Sequence, residues 1–383
     1  MDFAYTEREA QLKKRVRDFA RERLSPISER VDSVDEYSPE VIELLSDGGI
    51  FRYVAPEEYG GAGISSVAAC IIREELARVC TQADVSFIMS VFAGHALAEF
   101  GEEEQKRRYL PALATGEKVG TAAITEPGGG SDVSALETTA TLKGDHYVLN
   151  GVKNFCTMGA AAEVCIVIGT VDPSLGAKGI SAFIVDCKGK QTGLETHIMK
   201  LMSPHPVYRI DFNGYLLPKG SILGSEGQGL TIVISMLGRM RTTVAAAAIG
   251  MAVSAYEQTL GYVEKRVAFK RPLVRFQATQ LKLADMITEI EAARLLALRA
   301  AWTRDREDSE ESMMQASMAK LFATEAAQRV IDEAVQIHGG YGVVRGSRVE
   351  YLYRTIRALR IYEGTSEIQR LTITRSATRK VDK

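Results

Sequence analysis

Glu363 is the residue of this chain best suited to move a proton. It lies in Ile361-Tyr362-Glu363-Gly364-Thr365-Ser366-Glu367-Ile368-Gln369-Arg370, in a loop before a helix that Thr365 or Ser366 can cap. Held in an apolar cleft, such a carboxylate has the raised pKa that a general base needs; in a solvated loop it has no such role. Four other segments carry residue types that can bind a ligand. In Ala123-Ile124-Thr125-Glu126-Pro127-Gly128-Gly129-Gly130-Ser131-Asp132, the glycines leave backbone amides free to face a ligand or simply make a surface turn. The Lys-Ser/Thr of a phosphate loop is missing there. In Lys153-Asn154-Phe155-Cys156-Thr157, Phe155 and Thr157 lie two apart on a strand and share a face, where they can cover a flat ring and bond its edge, unless Phe155 is one more core aromatic. Between Arg266 and Gln277, Arg266 and Gln277 can hold phosphate oxygens and Phe269 can pack on a ring, or the segment is a basic connector between helices. In Gln336-Ile337-His338-Gly339-Gly340-Tyr341-Gly342 the glycines read as a helix C-cap and His338 as a packing residue. The histidines are scattered, so no metal site is expected.

The elements that must position these segments fall into zones. From Thr6 to about Thr115 the apolar spacing is helical, and Ser38 (N-cap), Pro39 (first turn) and Gly48-Gly49 (stop) mark one helix. From Val119 to about Gly227 come short β-branched runs: Ala140–Leu142, Tyr147–Leu149, Val164–Gly169 and Ile180–Val185. Lys143-Gly144-Asp145 and Asn150-Gly151 read as hairpin turns. This spacing predicts an antiparallel sheet or small barrel and disfavours a dinucleotide site on a parallel sheet. From Gln228 onward the helical period returns, with Leu281–Arg299 amphipathic and Ala247, Ala248 and Gly250 forming a face that lets helices approach closely. The expected class is α+β: an N-terminal α-helical domain (1–118), a middle antiparallel β domain (119–227) and a C-terminal α-helical bundle (228–383).

Composition narrows the function. The 383 residues include 47 Lys+Arg and 49 Asp+Glu, a net charge of −2, which argues against a broad nucleic-acid surface. The most apolar stretch, Val244–Tyr256, is too short and alanine-rich to span a bilayer, and the opening residues lack the apolar block of a signal peptide. Five cysteines without C-x-x-C spacing read as reduced thiols. A soluble cytoplasmic protein, without nucleic acid or membrane insertion, is the expectation.

Taken together, the five segments resemble those of the acyl-CoA dehydrogenase family. AITEPGGGSD and QIHGGYG correspond to two family signatures, and IYEGTSEIQR to the segment that bears the catalytic Glu in most members. The resemblance implies the family's three-domain fold, with a four-helix bundle at the C-terminus, and FAD as cofactor. Ile124, Thr125 and Ser131 would line the flavin pyrimidine and pyrophosphate, Phe155 would cover the isoalloxazine, and Thr157 would bond near N5. Arg266, Phe269 and Gln277, and then Gln336, Gly339 and Gly340, match segments reaching the FAD of a neighbouring subunit, so a homotetramer built as a dimer of dimers is implied. Thr365 and Glu367 match positions near the FAD diphosphate and ribose. Ser131, Arg241, Tyr362 and Gly364 would contact the acyl-CoA substrate. Glu363 would be the base, its backbone N–H and the flavin 2′-hydroxyl holding the thioester carbonyl, a donor type worth roughly 3 kcal/mol in a dry site. Relatives that carry the base on an earlier helix would have it at about Met240, which cannot act. Lys270 stands where the family has a glycine after the Phe.

The implied activity is oxidation of an acyl-CoA to a 2-enoyl-CoA, with electrons passing to an electron-transfer flavoprotein. The alternatives are an enoyl-CoA reductase using the same site in reverse, an acyl-CoA oxidase, which the length disfavours, and a non-catalytic FAD-binding or nucleic-acid-binding relative, which Glu363 and the net charge disfavour. The identity of the acyl chain is left open.

Overall fold

The computed structural model describes residues 4–307 and 309–379. Helices α1 (Glu7–Phe19), α2 (Ser25–Val31), α3 (Pro39–Asp47), α4 (Ser66–Val79), α5 (Thr81–Phe100) and α6 (Glu103–Thr115) come first. Strands β1 (Gly120–Ala123), β2 (Thr139–Lys143), β3 (His146–Thr157), β4 (Val164–Thr170), β5 (Ile180–Val185), β6 (Leu194–Ile198), β7 (Val207–Pro218) and β8 (Ile222–Leu223) follow. The chain ends in α7 (Gly229–Lys265), the short strands β9 (Val267–Ala268) and β10 (Arg271–Pro272), then α8 (Gln277–Arg304), α9 (Glu310–His338), α10 (Arg348–Leu359) and α11 (Ser366–Arg379). The helix–strand–helix order is the one expected. Local signals hold where they are strong: the Ser38 hydroxyl caps α3 by accepting from Val41 N, with Pro39 in the first turn and Gly48 at the C-cap.

The described residues form two compact units, each assembled from separate stretches of chain. A bundle unit takes Met1–Glu29, Ser65–Thr81 and Gly238–Lys383; a sheet unit takes Arg30–Ile64 and Gln82–Leu237. In the bundle unit α9 packs against α8, α10 and α11. Its core is rich in alanine, including Ala247 and Ala248 on α7, Ala293 and Ala297 on α8, and Ala323 and Ala327 on α9. Small side chains let helix axes approach closely, and Gly250 lies against the α4 backbone at Glu74. By length and composition α5 and α7 could each cross a membrane, but 78% and 72% of the relevant windows are buried, so burial accounts for their apolar character. The stretch Val244–Tyr256 is one part of the 37-residue α7.

The sheet unit carries an eight-stranded sheet in the order β6-β7-β3-β2-β4-β5-β8, with β1 beside β4. It is chiefly antiparallel, as expected, yet β1 pairs with β4 in parallel and β2 touches β4 in parallel at Thr139 and Thr170. Two local readings are corrected. Lys143-Gly144-Asp145 does turn β2 into β3, but Asn150-Gly151 is no turn: both residues lie inside β3, at a register shift against β7. Gly151 has φ +147°, and a Cβ there would collide with Thr138, so the glycine serves a bulge and a close approach. Asn150 uses its side-chain oxygen to accept from Gly214 N at 2.8 Å. The second correction concerns Phe155. A further register shift falls between Lys153 and Cys156, and Phe155 has φ +58°, so the period-of-two argument that paired it with Thr157 does not apply at this bulge.

The β9–β10 hairpin turns through Phe269 and Lys270, at φ +48° and +65°. Positive φ at both central residues is the mirror-image hairpin turn that favours Asn-Gly. A side chain in that region costs about 1–2 kcal/mol, more than the roughly 0.5–1 kcal/mol of extra chain entropy that glycine loses on folding. Lys270→Gly should therefore stabilise the protein by about 0.5 kcal/mol in urea unfolding; a clear destabilisation would show that the turn is not strained.

Candidate active site

In the sheet unit, the glycine-rich loop is tied to β3 by a buried ion pair. Lys153 is fully buried, and its Nζ donates to the Ile124 carbonyl at 3.0 Å and to Glu126 Oε1 at 2.5 Å. The Glu126 carboxylate also accepts from the backbone N–H of Glu137 at 2.6 Å and Thr138 at 3.1 Å, and Asn154 N donates to the Thr125 carbonyl at 2.8 Å. Burial pushes the Glu126 carboxyl up, but the Lys153 ammonium and these hydrogen bonds outweigh it, leaving the pKa below the usual range. Both ends of the loop are thus fixed, and Ile124, Thr125 and Phe155 are brought to one end of β3. Phe155 is 56% exposed, so it is not a core aromatic. Thr157 is half-buried, its carbonyl accepting from the Thr121 hydroxyl at 2.5 Å. Ser131 is exposed on the loop.

In the bundle unit, Glu363 and Gly364 make a left-handed turn, φ +58° and +92°, just before α11. A Cβ on Gly364 would meet Gln369 Nε2 at 2.7 Å. Gln369, fully buried, donates from that nitrogen to the carbonyls of Glu363 at 3.1 Å and Gly364 at 2.8 Å. Lys320 Nζ donates to the same Gly364 carbonyl at 2.8 Å. Thr365 caps α11 by accepting from Ile368 N at 3.3 Å, and the Ser366 hydroxyl donates to Glu325 on α9 at 2.7 Å. Glu367 is exposed in the first turn of α11.

The Glu363 residue is half-buried, but its Oε2 is sealed from solvent without a hydrogen-bond partner. Burial pushes its pKa up to about 7, against the pull of Arg73, Lys320 and Arg241. Arg241 is itself shifted down by burial, and its Nε is likewise buried without a partner. Lys320 is pushed down to about 8 by burial. A carboxylate with a pKa near neutrality, carrying an unsatisfied oxygen and facing cations, is arranged to accept a proton at ordinary pH. Met240 is fully buried and brings no second acid–base group.

Arg73 and Lys320 stand outside every motif of the sequence, and Gln369 enters only as a member of the Glu363 segment. A signal exists for the first two: each is a charged residue on a buried helical stripe, Arg73 among Ala69, Ile72, Leu76 and Ala77, and Lys320 among Ala316, Ala319, Ala323 and Ala327. The Gln336–Gly340 segment ends α9, about 27 Å along that helix from Lys320, which binds the Glu363–Gly364 turn. Tyr262, on α7 just before Arg266, stacks on His338 with ring centroids 4.3 Å apart. His338 is a packing residue, its Nδ1 2.7 Å from the Ala334 carbonyl, and Gly339 is the C-cap of α9. Phe269 is 91% exposed on its hairpin.

Family models for the N-terminal, middle and C-terminal domains of acyl-CoA dehydrogenase match residues 6–117, 121–214 and 227–378. The chain belongs to the acyl-CoA dehydrogenase family. It is 38% identical to the 3-(aryl)acrylate reductase of Clostridium sporogenes, covering 96% of this chain and 98% of that protein. It is 36% identical to the caffeyl-CoA reductase-Etf complex subunit CarC of Acetobacterium woodii, covering 96% and 98%. The solved butyryl-CoA dehydrogenase of Megasphaera elsdenii superposes with a TM-score of 0.93 at 34% identity, over 99% of this chain and 100% of that one. The chain is thus that of an acyl-CoA dehydrogenase-type oxidoreductase.

Within this family member the Glu126–Lys153 pair should be costly to break singly. Lys153→Met strands a buried carboxylate and should destabilise by about 3–5 kcal/mol, whereas adding Glu126→Gln should restore part of that. Denaturant unfolding of the single and double variants checks it; additive losses would mean that the two charges do not interact.

Proposed function

We propose that this protein oxidises an acyl-CoA thioester to a 2-enoyl-CoA with FAD as cofactor and an electron-transfer flavoprotein as electron acceptor. Glu363 carries the reading: a sealed carboxylate of pKa about 7 on a strained turn, positioned by two buried side chains. Strain of that kind persists where the surroundings over-determine it, commonly at functional sites. Every non-glycine residue with positive φ among the described residues, namely Phe155, Met158, Phe269, Lys270 and Glu363, lies in or beside a segment that resembles a flavin- or substrate-contacting one. Two exposed aromatics on such backbone, Phe155 and Phe269, suit a flat conjugated ring, so the residues present fit FAD.

In this scheme the bound FAD supplies the acceptor for the β-hydrogen and its electron pair. Ile124, Thr125, Ser131, Phe155 and Thr157 would hold its ring end, and Thr365 and Glu367 the diphosphate and ribose. The Glu363 carboxylate takes the α-proton, its backbone N–H orients the thioester carbonyl, and Arg241, Tyr362 and Gly364 bound the acyl group. The same residues run in reverse make an enoyl-CoA reductase, a second reading favoured by the names of the Clostridium and Acetobacterium relatives. The buried cysteines, all free thiols, support a cytoplasmic setting.

Anaerobic addition of a panel of acyl-CoA thioesters should bleach the flavin for the correct acyl class. Glu363→Gln should retain FAD and lose about 10²–10⁴ in bleaching rate; near-normal bleaching would move the base elsewhere. Proton abstraction needs the ionised form, so the oxidation rate should rise as pH passes through about 7, while enoyl reduction, which draws on the protonated form, should fall over the same range.

The Arg266–Gln277 and Gln336–Gly340 segments resemble those that reach the FAD of a neighbouring subunit, which supports a homotetramer. Arg266→Ala should then weaken FAD retention and assembly together, because a ligand bound only by the assembled form stabilises it by mass action. Sizing the variant with and without added FAD tests this; a monomer that holds FAD tightly would place the whole site in one chain.

A further inference from the structure

The stripe of α9 that faces the Glu363 turn is polar although the bundle around it is alanine-packed. Ser317, Lys320 and Thr324 follow at helical spacing, and all are fully buried. Ser317 Oγ lies 3.4 Å from Arg241 Nη1, and Lys320 Nζ donates to the Gly364 carbonyl at 2.8 Å. Packing alone would be served by methionine, and taking an ammonium out of water costs several kcal/mol unless its charge is answered. The charged groups that bear on Lys320 are Glu363, Arg241 on α7, Glu325 on the neighbouring turn of α9 and Glu367 at the start of α11; those that bear on Glu363 are Arg73 on α4, Lys320 and Arg241. Lys320 is the member of this set that also grips the backbone next to the base.

We propose that Lys320 is a positioning residue for the reaction: its ammonium holds the left-handed Glu363–Gly364 turn by the Gly364 carbonyl, and its charge favours the ionised Glu363 carboxylate over the protonated one. This rests on the reading of Glu363 as the base. Gln369 shares the mechanical part, donating to the same carbonyl at 2.8 Å, but brings no charge. The electrostatic part therefore falls to Lys320 alone among the residues that bind the turn. Burial pushes Glu363 up to about 7 and Lys320 down to about 8, so both groups titrate near neutral pH and each bears on the charge of the other.

The test separates grip from charge. Lys320→Met removes both, whereas Lys320→Gln keeps a donor for the Gly364 carbonyl without the charge. In the holoenzyme, the carboxylic-acid infrared band that Glu363→Gln abolishes reports the Glu363 midpoint directly, whether or not any thioester reacts. In both Lys320 variants that midpoint should move up by about one unit, an opposite charge nearby being worth one to three. The acid limb of the pH–rate profile for flavin bleaching should move with it, so that bleaching falls about fivefold at pH 7 and about tenfold well below it, and recovers at higher pH. An unmoved midpoint, or Lys320→Gln titrating like the wild type, would overturn the proposal and leave Lys320 a structural clamp. Should Lys320→Met not fold, the glutamine variant decides alone. A protein whose flavin no thioester bleaches, but whose Glu363 midpoint shifts as stated, would overturn the dehydrogenase reading and spare the electrostatic one.

Discussion

A carboxylate withdrawn from water must either be neutralised or be surrounded by charge, and much of the bundle unit follows from how Glu363 meets that demand. Burial alone raises its pKa; Arg73 from α4, Arg241 from α7 and Lys320 from α9 pull it back to about 7. Those cations come from parts of the chain far apart in sequence, and they converge because the helices that carry them pack through small residues. Gly250 against the α4 backbone and the alanines of α7, α8 and α9 are what bring them close. The alanine-rich core and the charged site are two sides of one packing arrangement.

The sheet unit solves the same problem with the opposite outcome. Glu126 is also buried, but Lys153 and two backbone amides occupy its oxygens, and its pKa falls. A satisfied carboxylate is a fastener, and this one fixes the glycine-rich loop to β3. Glu363 keeps one oxygen unsatisfied, so its protonation is poised and not settled. The contrast lies in hydrogen-bond completion more than in burial.

Strain marks the same places. Phe155 bulges out of β3, Phe269 and Lys270 hold a hairpin turn better suited to Asn-Gly, and Glu363 heads the turn into α11, all at positive φ. Each is held by tertiary contacts: the β3–β7 register shift, the β9–β10 pairing, and the clamp of Lys320 and Gln369.

What the sequence by itself determined is what local spacing and composition can encode. The α3 cap, the β2–β3 turn, the helix–strand–helix order, Glu363 beside a capped helix and the motifs that resemble the acyl-CoA dehydrogenase family all depend on neighbours a few residues apart. Only tertiary structure decided the rest. Asn150-Gly151 has the composition of a turn, yet pairing with β7 and the approach of Thr138 keep it inside a strand. Phe155 lost its predicted partnership with Thr157 because a bulge resets the alternation of faces. Lys320 and Arg73 read as two charges on apolar helices until the bundle closes and their field reaches a carboxylate on another segment. A pKa, a bulge and a cation cradle are set by atoms that meet across the chain, and local pattern carries no information about which distant residues those will be.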